Sequence, residues 1–199
     1  QDSAGMVEFH GVKPSSSENI TSVTIQDNTF ENIAEDSGQA ASAALSVQDA
    51  ESASISGNTF TNNFNDVYFS DVTGETTQSV ISGNDFDRAA YTDTLVTSSI
   101  QNAVDDAESG DTVKIGSGTY NEQVTVSTDL TIKKSGDTNP EVTQNNGVVM
   151  KIKEKSDVTI SGIDFVGNIE NIENSGHQGI SVRGESSAEI TDSSFKNFY

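Results

Sequence analysis

One short motif recurs along this chain and constrains its fold more than any other feature. In five segments an Ile is followed by Gly or Asp two residues later and by Phe five residues later. The pairs are Ile25 and Phe30, Ile55 and Phe60, Ile81 and Phe86, Ile160 and Phe165, and Ile190 and Phe195. The spacing is 30 residues from the first Ile to the second, 26 from the second to the third, and 30 from the fourth to the fifth. A period of this length indicates a repeat architecture in which each copy forms one structural unit.

The residues within one copy predict two short strands separated by a sharp bend. Val23 and Ile25 alternate with polar residues, which is the period of a half-buried strand. The following Gly or Asp permits a bend, and Asn28 tolerates left-handed backbone angles. We expect each copy to be one coil of a solenoid, with coils stacked as parallel strands roughly 4.8 Å apart. Ile would then stack on Ile and Phe on Phe, and Asn side chains at the bend would form a ladder.

The predicted core is thin, which explains how so polar a chain can fold. Only 32% of the residues are hydrophobic and the formal net charge is −21, a combination typical of disordered chains. A single column of apolar side chains needs few such residues, because all the others face water. The predicted core stack consists of Ile25, Phe30, Ile55, Phe60, Ile81, Phe86, Ile160 and Phe165.

These segments resemble the right-handed parallel β-helix repeats of the pectate-lyase-like superfold. They are also similar to the sub-repeats of periplasmic copper-site maturation proteins and of many archaeal surface proteins. The resemblance implies an all-β chain that forms a right-handed parallel β-helix. It implies little about function, because this superfold hosts lyases, hydrolases, esterases, adhesins and structural proteins.

A different pattern begins near the middle of the chain. Apolar residues at helical spacing, a capping box from Ser98 to Gln101 and a closing Gly110 predict a short amphipathic capping helix near residues 98–109. The apolar residues of that helix are Ile100, Ala103, Val104 and Ala107. The helix and the Gly-Thr-Tyr-Asn-Glu turn at 118–122 resemble the opening of pectin-esterase-like and pectate-lyase-like β-helices. We therefore expect uncapped coils at 1–87, a linker at 88–97, and a helix with further coils at 98–199.

Neither end of the chain carries a pattern typical of a cap. Three arrangements of the coils are compatible with such uncapped ends. The chain could form two short β-helices with one open end each, or a circularly permuted single β-helix. In the third arrangement, which we favour, the open C-terminal end of one copy stacks on the N-terminal coils of the next and builds a filament. The predicted assembly interface consists of Met6, Val7, Phe9, Val12, Ile180, Val182, Ile190, Phe195, Phe198 and Tyr199.

The charge balance limits partners and suggests an environment. The chain has 31 Asp and Glu residues against 10 Lys and Arg, so we expect no nucleic-acid partner and no membrane insertion. The composition resembles that of proteins from extreme halophiles, which favours a secreted, haloarchaeal-type protein at the cell surface. The chain begins at Gln1 without a signal segment, which we interpret as a processed chain or an excised piece. Asn19, in an Asn-Ile-Thr triplet, is a glycosylation candidate.

Residues suited to chemistry are sparse. The resemblance implies that lyases of this superfold use carboxylates with an Arg or Lys base, and that the esterases use two Asp and an Arg. The two arginines are Arg88 in the expected linker and Arg183 facing outward on a coil strand, and His10 and His177 lack metal-ligand spacing. We therefore predict no catalytic residues, no metal ligands and no cofactor. The turn at residues 62–66 is the alternative, as a site for calcium or another cation, although we favour a solvated turn.

These observations predict a structural extracellular β-helix subunit whose main partner is a second copy of itself. They do not favour an enzyme. The alternatives are a β-helix protein that binds or cleaves an acidic surface polysaccharide, and a fragment of a giant surface protein.

Overall fold

Short strands joined by tight bends make up most of the described chain. A computed structural model describes residues 20–33, 43–73, 75–144, 147–167 and 177–198, together with the backbone of residues 7–10. The chain divides into two compact units between Ser98 and Ser99. The expected β-rich architecture with parallel sheets is present in both.

In the first unit the chain returns repeatedly to the same parallel sheets. Its described elements are β1 (Val7–His10), β2 (Val23–Gln26), β3 (Thr29–Glu31), β4 (Leu45–Ala50), β5 (Ala53–Ser56), β6 (Thr59–Thr61), β7 (Val67–Val72), α1 (Thr77–Gly83), β8 (Asp85–Phe86), β9 (Ala90–Tyr91) and β10 (Leu95–Thr97). Parallel pairing joins β1 to β4 and β4 to β7, β2 to β5, and β3 to β6 and β6 to β8. We call one passage of the chain through these sheets a rung, so that β1, β2 and β3 form the first rung.

Two side-chain ladders hold the rungs of this unit in register, as the repeat predicted. The rings of Phe30, Phe60 and Phe86 stack with centroids 4.9 Å apart at each step and planes within 6° and 5° of parallel. Asn28 Nδ2 donates to Asn58 Oδ1 at 3.1 Å, and Asn58 Nδ2 donates to Asn84 Oδ1 at 2.9 Å. The spacing of the rings equals the distance between neighbouring parallel strands, so each Phe ring packs directly on the ring of the next rung.

The third repeat of the first unit departs from the expected strand. Residues 77–83 form helix α1, in which Val80 is fully buried and Ile81 only half-buried, so Ile81 does not join an Ile stack. The cause is a capping box between Thr76 and Ser79, whose side chains accept hydrogen bonds from each other's backbone N–H groups. A search of the sequence for the strand period alone does not detect a helix that begins at a capping box.

Residues 88–97, expected as a linker, belong to the first unit. Strand β10 pairs antiparallel with β7 and with β9, so the run of parallel strands stops here. Tyr91 and Val96 are almost fully buried, and Thr92 Oγ1 accepts a hydrogen bond from the Leu95 N–H in the turn between β9 and β10. An apolar antiparallel hairpin covers this end of the unit and satisfies the edge of β7.

The second unit begins with a helix and continues as three parallel sheets. Its described elements are α2 (Ile100–Asp106), β11 (Thr112–Ile115), β12 (Thr119–Asn121), β13 (Val124–Val126), β14 (Leu130–Lys134), β15 (Glu141–Gln144), β16 (Val148–Ile152), β17 (Asp157–Ser161), β18 (Asp164–Gly167), β19 (Gln178–Val182), β20 (Ser187–Thr191) and β21 (Ser194–Lys196). The sheet orders within this unit are β11-β14-β17-β20, β12-β15-β18-β21 and β13-β16-β19. Every third strand therefore joins the same sheet. The last rung of the unit is β19, β20 and β21.

Helix α2 lies within the range predicted for a capping helix, and its start is one residue later than expected. Ser99, not Ser98, is the N-cap, and its side chain accepts a hydrogen bond from the Asn102 N–H. The carboxylate of Glu122 accepts hydrogen bonds from the N–H groups of Ile100 at 2.8 Å and Gln101 at 3.0 Å. A distant carboxylate thus caps the helix and fixes it against the first strands of its unit. Neither helix of the described chain is long and apolar enough to cross a membrane.

The Asn ladder generates a stability prediction. Asn58 is fully buried, its Oδ1 accepts two hydrogen bonds from Asn28, and its Nδ2 donates to the Ile25 carbonyl at 2.9 Å. We expect Asn58→Ala to lower the free energy of unfolding by about 3 kcal/mol, because it leaves buried polar groups unsatisfied. Asn28→Ala, at the exposed end of the ladder, is the control and should cost about 1 kcal/mol or less. Chemical denaturation of both variants measures the loss of unfolding free energy. Equal losses in the two variants would show that the buried hydrogen bonds of Asn58 contribute no more to stability than the exposed end of the ladder.

Candidate functional site

The last rung of the second unit has an open edge. Among the described strands, β20 pairs only with β17, β21 only with β18, and β19 only with β16. Each of these strands therefore offers one row of backbone groups that no described strand occupies. An open edge of this kind is a template for pairing with a further strand.

The apolar side chains of this rung are exposed where their counterparts one rung earlier are buried. The exposed fractions are 42% for Val182, 39% for Ile190 and 49% for Phe195. In register with them, Ile152, Ile160 and Phe165 have an exposed fraction of 0%. The last rung thus presents to solvent the positions that form the core elsewhere in the unit. This apolar face is the candidate functional site.

The aromatic residues of the face are held in place by the rung beneath. Phe195 stacks on Phe165 with centroids 5.0 Å apart, and Phe198 lies against Phe195 at 6.5 Å and 54°. A Cβ atom at Gly179 would collide with the ring of Phe195, and one at Gly167 would collide with the Asn197 carbonyl and the ring of Phe198. Glycine at both positions lets the final aromatic residues lie close to the backbone.

The residues of the predicted interface fall into three groups. Val182, Ile190 and Phe195 are exposed, and Ile180 and Phe198 are half-buried on the same rung. Val7 and Phe9 lie on β1, whose backbone pairs with β4 through Val7 opposite Leu45 and Phe9 opposite Val47. Met6, Val12, Tyr199 and the glycosylation candidate Asn19 lie outside the described residues.

The polar turn at residues 62–66 is largely buried, not solvated. The side chain of Asn63 donates to the Phe30 carbonyl at 3.1 Å and to Asp66 Oδ1 at 3.0 Å. The backbone of Asp66 donates to the Val96 carbonyl and accepts from the Leu45 N–H, so the turn ties three strands together. Asp66 is fully buried, and its Oδ2 has no hydrogen-bond partner in the described part of the chain. Sequence reasoning took this turn as solvated because nothing local shows its backbone hydrogen bonds to β4 and β10.

The environment of Asp66 favours the protonated carboxyl. Burial raises the pKa of the Asp66 carboxyl to about 7, and the Asp87 carboxylate adds to this effect. The Asn63 hydrogen bond and the charge of Arg88 act in the opposite direction. No three His, Asp or Glu side chains of the described ranges come together as a metal site.

A shallow polar groove of about 490 Å³ on the second unit is a further feature that the sequence did not reveal. Its lining residues are Gly118, Thr119, Thr138, Asn139, Glu141 and Asp164. Thr119, Glu141 and Asp164 begin three neighbouring strands and lie opposite one another in register. Only a correct alignment of β12, β15 and β18 could have brought them together from the sequence.

The pKa of the Asp164 carboxyl in this groove is lower than is usual for aspartate. Asn139 Nδ2 donates to its Oδ1 at 3.0 Å and Lys196 Nζ lies 2.9 Å from its Oδ2. These two hydrogen bonds lower the pKa of Asp164 to about 2, and Asp164 in turn raises the pKa of Lys196. A carboxylate held in this way is a poor general base, since efficient proton transfer needs a pKa near the working pH.

The arginines and histidines considered for chemistry do not form a site with the groove. Arg183 is exposed and its Nε donates to Ser181 Oγ at 3.1 Å. The Arg88 N–H donates to Asp87 Oδ1 at 2.8 Å in the first unit. His177 is buried, with no partner for Nε2 in the described ranges, and the side chain of His10 is outside them.

Comparison of the chain with protein-family models, with curated proteins and with solved structures finds no match.

The buried Asp66 generates a prediction of pH dependence. Its pKa of about 7 in the folded chain lies above the ordinary aspartate pKa of 3.8, so between these values the folded chain holds a proton that the unfolded chain has released. This stabilisation of the protonated form makes the free energy of unfolding fall as the pH rises from about 4 to 7, by at most about 4 kcal/mol. Asp66→Asn should remove this part of the slope, as measured by denaturation at a series of pH values.

Asp164→Asn is the matched control for that experiment, because the pKa of Asp164 is shifted in the opposite direction to that of Asp66. Its effect on the free energy of unfolding therefore has the opposite pH dependence. The lowered pKa of Asp164 means that its contribution is present above about pH 4 and lost as the pH falls towards 2. A wild-type slope between pH 4 and 7 that persists unchanged in Asp66→Asn would contradict the assignment.

Proposed function

We propose that this protein is a structural, extracellular β-helix subunit that assembles head to tail through the open rung of its second unit. The observation that carries the proposal is the exposure of Val182, Ile190 and Phe195 at positions that are fully buried one rung earlier. Covering such a face with a further rung would bury apolar area and pair the open strand edges at the same time.

The proposed fold of each unit is a right-handed parallel β-helix with short helices near its closed ends. The support is topological: in the second unit every third strand returns to the same parallel sheet. Each sheet therefore grows by one strand per rung. The handedness is proposed from the resemblance of the repeats and from the right-handed preference of parallel crossovers.

The proposed setting is the cell surface or the extracellular space of a halophile. A net charge of −21 on 199 residues repels other copies at low ionic strength. Salt screens this repulsion, with a Debye length of about 3 Å at 1 M. A subunit of this charge can therefore associate in brine through a small apolar face.

Binding of a hydroxyl-rich polysaccharide along the groove is the second candidate function. The observation that favours it is the alignment of Thr119, Glu141 and Asp164 beside Asn139 in an open groove. Binding fits this groove better than cleavage, because Asp164 is held as a weak base by Asn139 and Lys196. An assay for unsaturated or reducing sugar ends on uronate polymers tests the cleavage alternative.

The assembly proposal predicts a selective effect of the apolar face. We expect the chain to form concentration-dependent assemblies at high salt, as measured by light scattering and negative-stain microscopy. Ile190→Thr should raise the dissociation constant by about five- to tenfold, because it removes roughly 1 kcal/mol of apolar burial.

The matched control for Ile190→Thr is Glu189→Thr on the same strand. Glu189 is exposed and alternates with Ile190, so its replacement should leave association unchanged. A wild-type chain that remains a monomer over the whole concentration range would overturn the proposal.

A further inference from the structure

One type of hydrogen bond between neighbouring rungs runs in the same direction in both units. Three residues after the repeated Ile, a backbone N–H donates to a side-chain oxygen of the following rung. Asn28 N–H donates to Asn58 Oδ1 at 2.9 Å, and Asn58 N–H donates to Asn84 Oδ1 at 2.9 Å. In the second unit Ile163 N–H donates to Ser193 Oγ at 3.1 Å. The donor always belongs to the earlier rung and the acceptor to the later one.

This direction leaves opposite groups unmatched on the first and last rungs. Ser193, on the last rung, has an N–H with no acceptor in the described residues. Asn28, on the first rung, is exposed and its Oδ1 has no donor there. The last rung thus lacks the acceptor that the first rung presents.

A second hydrogen bond of the same kind repeats the asymmetry. Asp27 N–H donates to the Ser56 carbonyl at 3.2 Å, and Gly162 N–H donates to the Thr191 carbonyl at 3.1 Å. Asp192 occupies the equivalent position on the last rung, and its N–H has no acceptor within the described ranges. The equivalent carbonyl on the first rung belongs to Gln26.

Resting on the proposed function, we infer that the last rung of one copy pairs in parallel with the first rung of a second copy, in the register that sets Ser193 opposite Asn28. The same register sets β19 opposite β1, Ile190 opposite Ile25 and Phe195 opposite Phe30. The Ser193 N–H then donates to Asn28 Oδ1, which continues both ladders across the joint.

The direction of these bonds also selects the symmetry of the contact. If two last rungs met about a two-fold axis, each copy would present its own last rung, so the Ser193 N–H groups would not meet the Asn28 Oδ1 acceptors. A heterologous contact satisfies them and can be repeated by every further copy.

Charged residues at the joint make it dependent on salt. Lys196 lies opposite Glu31 in this register, which is favourable, and Asp192 lies opposite Asp27. The inner rungs have Gly57 and Gly162 at the latter position, so at this position of the repeat two carboxylates face each other only at the joint. Their repulsion is screened at high ionic strength.

The first rung contributes less apolar area to the joint than the last. Ile25 and Phe30 have exposed fractions of 7% and 8% in the isolated chain. Most of the apolar area removed from water therefore comes from Val182, Ile190 and Phe195.

A designed disulfide tests the register, because the natural chain contains no cysteine. Thr24 and Glu189 each precede the repeated Ile, both are exposed, and the register sets them opposite each other. Parallel strands lie about 4.8 Å apart, within the Cα separation of about 4.4–6.8 Å that a disulfide spans. We expect Thr24→Cys/Glu189→Cys, oxidised at high salt, to form a ladder of covalent multimers on denaturing gels.

The control moves one cysteine by two residues along β20, to Thr24→Cys/Thr191→Cys, and should form no ladder. Assembly of the chain without a ladder from the first pair would overturn the register and leave the proposed function standing. A monomer whose changed gel mobility shows an internal disulfide would overturn the inference that the partner is a second copy. The first and last rungs would then meet within one chain. Absence of assembly at every salt concentration would overturn the proposed function itself.

Discussion

Parallel pairing in register is the constraint on which the rest of this structure depends. The backbone groups of each rung pair with those of the next. The Ile and Phe side chains of one rung lie in register with those of its neighbour. Because the core is one column wide, a slip of one residue would turn every apolar side chain outward. The Asn28–Asn58–Asn84 ladder opposes such a slip, since its side-chain hydrogen bonds form only at the correct register.

A stack of this kind must end, and the two units end in different ways. In the first unit, the parallel pairing gives way to helix α1 and to the antiparallel strands β9 and β10, and Glu75 accepts a hydrogen bond from the Ile55 N–H. Helix α2, capped by Glu122, closes the start of the second unit. Among the described residues, the last rung of the second unit has neither device, so its apolar face is exposed.

Sequence alone predicted the parts of the fold that repeat. The Ile and Phe spacing foretold the strands and the Phe stacking, since period and bend chemistry are local properties. It did not foretell that residues 77–83 form a helix, because the strand pattern around Ile81 competes with a capping box that begins at Thr76. It also missed the burial of Asp66, whose backbone N–H donates to the Val96 carbonyl thirty residues away in sequence. In the candidate site, the open apolar rung could be anticipated, whereas the groove beside Asp164 needed the alignment of three strands.

The 30-residue period of the first unit bears on how such a chain can change its length. Ile25 and Ile55 lie opposite each other, as do Phe30 and Phe60, so one period of sequence returns the chain to the same position one strand higher. Duplication of one period between them would add a rung of about 4.8 Å and leave α1, β9 and β10 as they are. The dimensions of the protein can therefore evolve in whole steps, through gain or loss of repeats, without a new closing structure having to arise.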